Sequence, residues 1–198
     1  MNLLILHSAY NNSSPSGENQ VVENEIRLLR DEGHTIFSPE LSASKINKSW
    51  IRNLLKNFFL RKILPSWSYT RASKKYLLGN RIQLIHCHNI FPLVDFSILE
   101  AAYQLDIPVV FSIHNYRFLC LNGLFYRDSQ VCTLCIESNR FGKKYKCYKN
   151  SRILSTLAAN SQASYLNYLK RASRILVLNT IAKNMLIDQG IAGEKILL

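Results

Sequence analysis

Two apolar runs of this sequence each stop at a histidine–asparagine pair, His88-Asn89 and His114-Asn115. The segment between them, Phe91–Leu105, has the character of a helix, and Pro108 restarts the chain into the second run. An apolar strand, a helix and a second apolar strand form a βαβ unit, whose strands run parallel. Because open α/β sheets bind ligands at the carboxyl ends of their strands, the sequence predicts a ligand site where both pairs lie.

The rest of the chain continues the alternation of strands and helices. The first apolar run also ends in a histidine, His7, which adds a third imidazole to the predicted ligand edge. A turn-forming loop, Ser8–Gly17, then leads into a helix with apolar residues at helical spacing and one polar interruption, Glu25. The pattern predicts a single Rossmann-like α/β domain over residues 1–198, with a parallel sheet sandwiched by helices. We expect strands at Asn2–His7, His34–Ser38, Arg174–Leu178 and Glu194–Leu198, and helices at Glu18–Glu32 (closed by Gly33), Ser151–Arg171 and Thr180–Gln189 (N-capped by Thr180 and closed by Gly190).

The net charge of +12 is concentrated in two long stretches. Residues 41–94 hold ten Lys and Arg with no Asp or Glu, and residues 138–187 again hold ten and none. Such stretches favour an anionic partner, which could be a nucleotide phosphate, an acidic lipid or a nucleic acid, although the solvated surface of a basic protein explains them equally well. A nucleic acid is the least favoured of these partners, because the chain has no helix-turn-helix, zinc-finger or RNA-binding pattern.

The sequence predicts a cytoplasmic protein. No apolar run approaches the roughly 18 residues of a membrane-spanning helix, and the N-terminus lacks the basic region of a signal peptide. One segment, Trp50–Phe59, has a basic polar half opposite an aromatic and aliphatic half, the pattern of a helix that lies on an anionic bilayer. A helix that packs on the core with a wet outer face has the same pattern. The first interpretation would make the protein peripheral on the inner face of the plasma membrane.

A long connection, residues 116–150, contains four cysteines that supply a candidate structural zinc site. A polar loop of this length buries too little apolar surface to order itself, and a metal would supply the missing free energy. Reduced thiols and a redox pair are the alternatives, although a redox pair would sit at a helix start rather than in the middle of a loop. The four residues are Cys120, Cys132, Cys135 and Cys147.

Several stretches resemble the N-terminal half of family 4 glycosyltransferases, which have the two-domain GT-B fold. They are PSGENQVVENEIRLLRDEGH, HCHNIFPLV, PVVFSIHNYRFLCLNG and the final SRILVLNTIAKNMLIDQGIAGEKILL. The similarity covers essentially the whole chain, and the Cys-rich insert resembles that of a subset of these enzymes. The chain would then be one half of a GT-B fold.

The resemblance implies a role for several positions. In the family, the N-terminal domain binds mainly the acceptor and the C-terminal domain holds the nucleotide-sugar co-substrate, and transfer usually needs no catalytic metal. The family often has Asp at position 115 and a second Gly at position 16, so this chain departs from it at both. By position, the implied roles are catalytic for His114, donor-binding for Ser16, Gly17, Glu18 and Asn115, and acceptor-binding for His88, Asn89, Tyr10 and Arg117.

The resemblance also implies that a C-terminal donor-binding domain is absent from this sequence. Either the sequence is part of a longer protein or a separate subunit completes the enzyme, and the chain alone would bind an acceptor with little or no transfer. The acceptor would be a glycan or a lipid-linked glycan of cell-surface polysaccharide or glycolipid synthesis. The alternatives are a non-catalytic membrane-associated adaptor or partner subunit, and a zinc-stabilised nucleic-acid-binding module.

Overall fold

A computed structural model describes residues 1–8, 17–39, 66–90 and 96–198. The described chain divides into two compact units, Met1–Ser112 and Ile113–Leu198. The segment Trp50–Phe59, for which we predicted an amphipathic helix, lies outside the described residues. No helix in the described part of the chain is long and apolar enough to cross a membrane.

The first unit is built on parallel strands. They lie in the order β2-β1-β3-β4, and each neighbouring pair is parallel. The buried side chains of these strands are mostly apolar, as expected for a parallel sheet that is covered on both faces. The strands are β1 (Asn2–Leu6), β2 (Thr35–Phe37), β3 (Leu84–Cys87) and β4 (Val109–Ile113, whose last residue opens the second unit).

Cys87 lies at the centre of this packing, on β3. Its side chain is completely buried, and burial raises the pKa of the thiol well above its usual range. A cysteine within an apolar strand is expected in the core, and the structure places Cys87 there.

Three helices of the first unit have described positions, namely α1 (Gly17–Asp31), α2 (Ser66–Gly79) and α3 (Ser97–Tyr103). The predicted cap of α1 is confirmed, because Gly33 has a φ of 78° and the His34 N–H donates to the Leu29 carbonyl at 3.0 Å. Helix α2 was not predicted. It is joined to α3 by a 3.2 Å hydrogen bond between the hydroxyls of Ser73 and Ser97.

Helix α3 ends earlier than the prediction of a helix over Phe91–Leu105. After Tyr103 the chain turns, and Asp106 takes a φ of 53° before Ile107 and Pro108 lead into β4. The residue before a proline is disfavoured in the helical region, which explains why the helix stops ahead of this pair. Residues 91–95 lie outside the described residues.

The second unit begins with the Cys-rich connection, which has secondary structure of its own. Strands β5 (Tyr126–Arg127) and β6 (Gln130–Val131) form an antiparallel hairpin, followed by the short helices α4 (Leu134–Glu137) and α5 (Arg140–Lys144). The turn residues Asp128 and Ser129 have φ values of 52° and 62°, as a tight hairpin turn requires. The redox pair was disfavoured on the expectation that Cys132 and Cys135 both lie in the middle of a loop. That expectation is wrong for Cys135, which lies in α4.

The rest of the second unit returns to the predicted alternation. Helix α6 (Arg152–Arg171) begins at Ser151, whose hydroxyl accepts from the Leu154 N–H at 3.3 Å. The parallel strands β7 (Arg174–Val177) and β8 (Ile196–Leu197) flank helix α7 (Thr180–Asp188) in the chain. Both units thus contain parallel strands connected through helices, and the predicted Rossmann-like α/β fold class is confirmed.

The start of α7 corrects one prediction. We expected Thr180 to be the N-cap, but the cap is Asn179, whose side-chain oxygen accepts from the Ala182 N–H at 2.8 Å. Asn179 has extended backbone angles, while Thr180 is already helical. Either residue type can cap a helix, and the asparagine is favoured because its amide oxygen reaches the free N–H groups from one residue earlier.

Candidate functional site

In the first unit, the ends of β1 and β3 bring two of the predicted histidines together. The Ser8 N–H donates to the Asn89 carbonyl at 2.8 Å, and the rings of His7 and His88 lie edge to face with centroids 6.2 Å apart. In the order β2-β1-β3-β4, the connections change direction between β1 and β3. Open α/β sheets bind ligands at this switch point, outside the carboxyl ends of the strands.

His7 is buried and is hydrogen-bonded to a side chain of α1, the helix that follows it in the chain. Its Nε2 contacts the Asn19 side-chain oxygen at 2.8 Å, while its Nδ1 has no hydrogen-bond partner among the described residues. Burial lowers the pKa of His7, and the bond to Asn19 opposes that change only in part. The imidazole is therefore mainly neutral at physiological pH, and its Nδ1 is a buried polar atom without a partner among the described residues.

A third histidine of the first unit, His86, was missed by the sequence analysis. It lies two residues before His88, so both side chains emerge on one face of β3, and their ring centroids are 4.3 Å apart. His86 Nδ1 lies 2.5 Å from Glu25 Oε1, and His88 Nε2 lies 3.4 Å from Glu25 Oε2. On its other side, His86 Nε2 lies 2.9 Å from the Ser112 hydroxyl.

Two signals in the sequence point to this cluster. The alternation His86-Cys87-His88 places two imidazoles on one side of a strand, and Glu25 interrupts the apolar face of α1. A polar residue on a helix face that packs against a sheet needs a buried partner. In this molecule the partners of Glu25 are the two histidines.

Burial and the contacts within the cluster also shift the pKa values of Glu25 and His88. Burial by itself raises the pKa of the Glu25 carboxyl, but the hydrogen-bonding and charge contacts with His86 and His88 outweigh it and lower the pKa to about 2. Burial lowers the pKa of His88, and the contact with Glu25 offsets part of that change. At neutral pH the carboxylate is therefore ionised next to a neutral His88 ring.

The loop that was predicted to approach the donor is described only from its last residue. Gly17 is the first residue of α1 and is exposed, and among the described residues no atom lies within 4 Å of the position of a β-carbon there. Glu18 lies in the first turn of α1, near its positive end. Ser16 and Tyr10 lie outside the described residues.

The second unit places His114 at an open cleft of about 250 Å³. His114 and Asn115 are half-buried and directly follow β4. The Asn115 side-chain oxygen accepts from the Arg117 N–H at 3.1 Å, which shapes the turn after His114. The cleft is lined by Ile113, His114, Asn115, Tyr116, Leu178, Asn179 and Ala182.

Arg117 contributes to the packing of the second unit. Its guanidinium lies 5.7 Å from the ring centre of Tyr148 and donates to the Leu121 carbonyl at 3.4 Å. Its own carbonyl accepts from the side chain of the buried Gln162 at 2.9 Å. These contacts anchor the start of the Cys-rich connection on α6.

The four cysteines of this connection are all in the free thiol form. Cys120 and Cys135 are buried, whereas Cys132 and Cys147 are half-buried. Burial, and then the neighbouring Cys120, raise the pKa of the Cys147 thiol, so these groups are close enough to influence one another. Within the described residues, however, three or more potential metal-ligand atoms lie mutually within 4.8 Å at Glu25, His86 and His88, and not at the cysteines.

Parallel strands joined through helices, with polar side chains at their carboxyl ends, define the class of α/β proteins that bind ligands along one edge of a sheet. Comparison with family models narrows this class. The model of Glycosyltransferase Family 4 matches residues 15–198. The chain therefore belongs to glycosyltransferase family 4.

A solved structure agrees with this fold. UDP-GlcNAc 2-epimerase from Methanocaldococcus jannaschii matches all of this chain and 45% of its own, with 15% identity and a TM-score of 0.52. Anabaena HepE in complex with UDP-glucose matches all of this chain and 43% of its own, with 13% identity and a TM-score of 0.48. The chain thus spans less than half the length of these structures. A search of curated proteins gives no significant match.

Proposed function

We propose that this chain is the acceptor-binding half of a retaining glycosyltransferase of the hexosyltransferase type, which uses a nucleotide sugar in cell-surface polysaccharide or glycolipid synthesis. The observation that carries the proposal is the family match over residues 15–198, together with the polar side chains at the strand ends of this same segment. A second domain or subunit would complete the donor site.

The acceptor would bind at the edge formed by β1 and β3. This edge offers the buried imidazoles of His7 and His88 and the half-buried Asn89. A hydroxyl of a sugar can donate to a neutral imidazole nitrogen or accept from it. A site built from buried polar groups discriminates strongly against acceptors that lack the matching hydroxyl, because its own groups would then be left unpaired. We place Tyr10 on this acceptor side as well.

His114 is proposed to contact the sugar that is transferred. It is half-buried and lines an open cleft at the end of β4. The amides of Asn115 and Asn179 line the same cleft. The Arg117 N–H donates to the side-chain oxygen of Asn115 and so fixes this side of the cleft.

Transfer with retention requires the departing diphosphate and the positively charged sugar to be stabilised. We assign the first task to the donor-binding domain or subunit, assisted by the loop of Ser16, Gly17 and Glu18 at the start of α1. Gly17, the first residue of α1, is exposed. No catalytic metal takes part in this proposal.

We place the enzyme at the cytoplasmic face of the plasma membrane, where a lipid-linked acceptor is available. The support is the sequence of residues 41–94, which holds ten Lys and Arg and no acidic residue. A basic surface is attracted to anionic lipid head groups. Flotation of the chain with anionic and with neutral liposomes tests this placement, and equal binding to both would contradict it.

The proposed catalytic role of His114 is tested in the complete enzyme, whether the donor domain is encoded in the same reading frame or as a partner subunit. We expect His114→Ala to reduce sugar transfer by about 100-fold or more, as the loss of a transition-state contact does. His34→Ala is the matched control, because His34 precedes β2 and so lies at the opposite end of the strands. Full transfer by the His114 variant would remove this residue from the site.

Acceptor binding is tested on the chain alone. Saturation-transfer NMR with a lipid-free acceptor glycan and with UDP-glucose should show contact with the glycan and little with the nucleotide sugar. The signal should weaken in His88→Gln and persist in His34→Ala. Strong binding of the nucleotide sugar, with no contact from the glycan, would contradict the assignment of this chain to the acceptor.

A further inference from the structure

Three side chains of the first unit converge although they come from two distant segments of the chain. Glu25 lies on α1, and His86 and His88 lie on and just after β3. Their potential ligand atoms all lie within 4.8 Å of one another. The two closest approaches join Glu25 Oε1 to His86 Nδ1 at 2.5 Å and Glu25 Oε2 to His88 Nε2 at 3.4 Å.

The surroundings of these groups match those of metal ligands. His86 and His88 are 7% and 1% exposed, so their rings are fixed by packing, while the Glu25 side chain keeps 24% of its surface open as an entry route. The far nitrogen of His86 contacts the buried Ser112 hydroxyl at 2.9 Å. A hydrogen bond at the second ring nitrogen is the usual partner of a metal-bound histidine, because it fixes the tautomer and the ring orientation.

We propose that Glu25, His86 and His88 bind a divalent transition-metal ion of the zinc type. Two imidazole nitrogens and one carboxylate are a ligand set that suits this class of ion, whereas calcium and magnesium prefer oxygen ligands. Ligand distances of roughly 2.0–2.2 Å to zinc require the three atoms to surround a common centre. The Glu25 carboxylate would therefore turn away from its 2.5 Å contact with His86 Nδ1 as the ion binds. Three protein ligands leave a further position for water or for a ligand hydroxyl.

The ion would join α1 to the end of β3 and hold His88 at the ligand edge. This role is independent of the chemistry of sugar transfer, so the site stands or falls separately from the proposed function. It is also distinct from the cysteine site predicted from the sequence, which lies in the second unit and offers thiolates. The competing explanation is that Glu25 only accepts hydrogen bonds from the two imidazoles.

The test is metal analysis of the full chain carrying Cys135→Ser and Cys147→Ser, which removes two of the four thiols of the insert. Zinc is added, excess ion is removed by gel filtration, and bound metal is measured by mass spectrometry. We expect one equivalent to remain bound, to be lost in Glu25→Gln and to be retained in Glu23→Gln. Glu23 is the matched control because it is exposed on the same helix.

A second variant guards against loss of folding. Ser112→Ala removes only the hydrogen bond to His86, and we expect it to weaken zinc affinity by about 10- to 100-fold while the circular dichroism spectrum is unchanged. With cobalt in place of zinc, the bound ion should show weak visible bands without the intense near-ultraviolet absorption of a thiolate complex. A chain that retains no zinc, or a Glu25→Gln variant with the affinity of Glu23→Gln, would overturn the proposal and leave the hydrogen-bonded cluster.

Discussion

The two histidine–asparagine pairs have the same sequence and both follow a strand, yet their side chains have different surroundings. His88 is 1% exposed and faces Glu25, whereas His114 is half-buried and lines an open cleft. Asn89 uses its main-chain carbonyl to bind the Ser8 N–H, while Asn115 uses its side-chain oxygen to bind the Arg117 N–H. The same dipeptide therefore carries a buried imidazole in the first unit and a partly exposed imidazole in the second.

The difference shows that the partner decides the role of a strand-end histidine. In the first unit, α1 carries a carboxylate to the histidine, and the pair fixes the local structure. In the second unit, the turn after β4 leaves the imidazole at a concave surface. A mutation of His88 should therefore lower stability as well as acceptor binding, whereas a mutation of His114 should affect mainly ligand chemistry.

The largest expected effect tests this contrast directly. His88→Ala should lower the free energy of unfolding by about 2–4 kcal/mol, because it opens a buried space and removes a partner of Glu25. His114→Ala should lower it by less than about 1 kcal/mol, because a half-exposed side chain is lost. Urea unfolding of both variants measures the two changes, and similar values would break the comparison.

A smaller effect should depend on pH and should belong to the first unit. In the metal-free chain, kept in chelator, the pKa of Glu25 falls from an ordinary value of 4.5 to about 2 on folding. The ionised carboxylate therefore contributes stability, on the order of 2 kcal/mol, that is fully present above pH 4.5 and is lost as the pH falls from about 4.5 towards about 2. Unfolding free energies measured between pH 2 and pH 7 should be less pH-dependent in Glu25→Gln than in Glu23→Gln. Parallel curves for the two variants would show that the cluster does not retain the carboxylate charge.

The next effect concerns the wall of the cleft in the second unit. Asn179→Ala should cost about 1 kcal/mol, since the Ala182 N–H loses its capping oxygen, while Thr180→Ala should change stability by much less. Thermal unfolding of the two variants ranks them. The reverse order would restore Thr180 as the cap.

The smallest expected effect on stability tests whether the side-chain oxygen of Asn115 is what stabilises the turn. Asn115→Asp keeps an oxygen for the Arg117 N–H and should stay within about 0.5 kcal/mol of the parent. Asn115→Ala loses that acceptor and should cost about 1 kcal/mol. The comparison by urea unfolding also shows whether the aspartate that is frequent in the family is structurally equivalent here. If both variants were equally destabilised, the bond to Arg117 would not be what holds the turn.

Much of the fold followed from local patterns in the sequence. Apolar runs of strand length, helical spacing in α1 and the stop at Gly33 each have a physical cause that acts within a few residues. Helix α2 was not predicted because its apolar residues are interrupted by lysines, an arginine and serines. The hairpin of the insert was not predicted because each of its strands is only two residues long.

The candidate site was predictable at its edge but not in its interior. The positions of His7 and His88 follow from the rule that parallel strands end at a common edge. The pairing of Glu25 with His86 joins residues 61 positions apart, and no local pattern measures that distance. Burial determines that His88 is enclosed and that His114 is partly exposed. Burial depends on the tertiary packing of each unit, which local sequence patterns do not reveal.

The complete burial of Cys87 has a practical consequence. Alkylating and oxidising reagents attack the thiolate, and this thiol is both inaccessible and strongly disfavoured as an anion. Under native conditions, maleimide dyes and spin labels will therefore attach first to the half-buried Cys132 and Cys147 of the insert while β3 remains unmodified. The wild-type chain can report the motions of that insert without any engineered cysteine, and modification of Cys87 will mark the unfolding of the sheet.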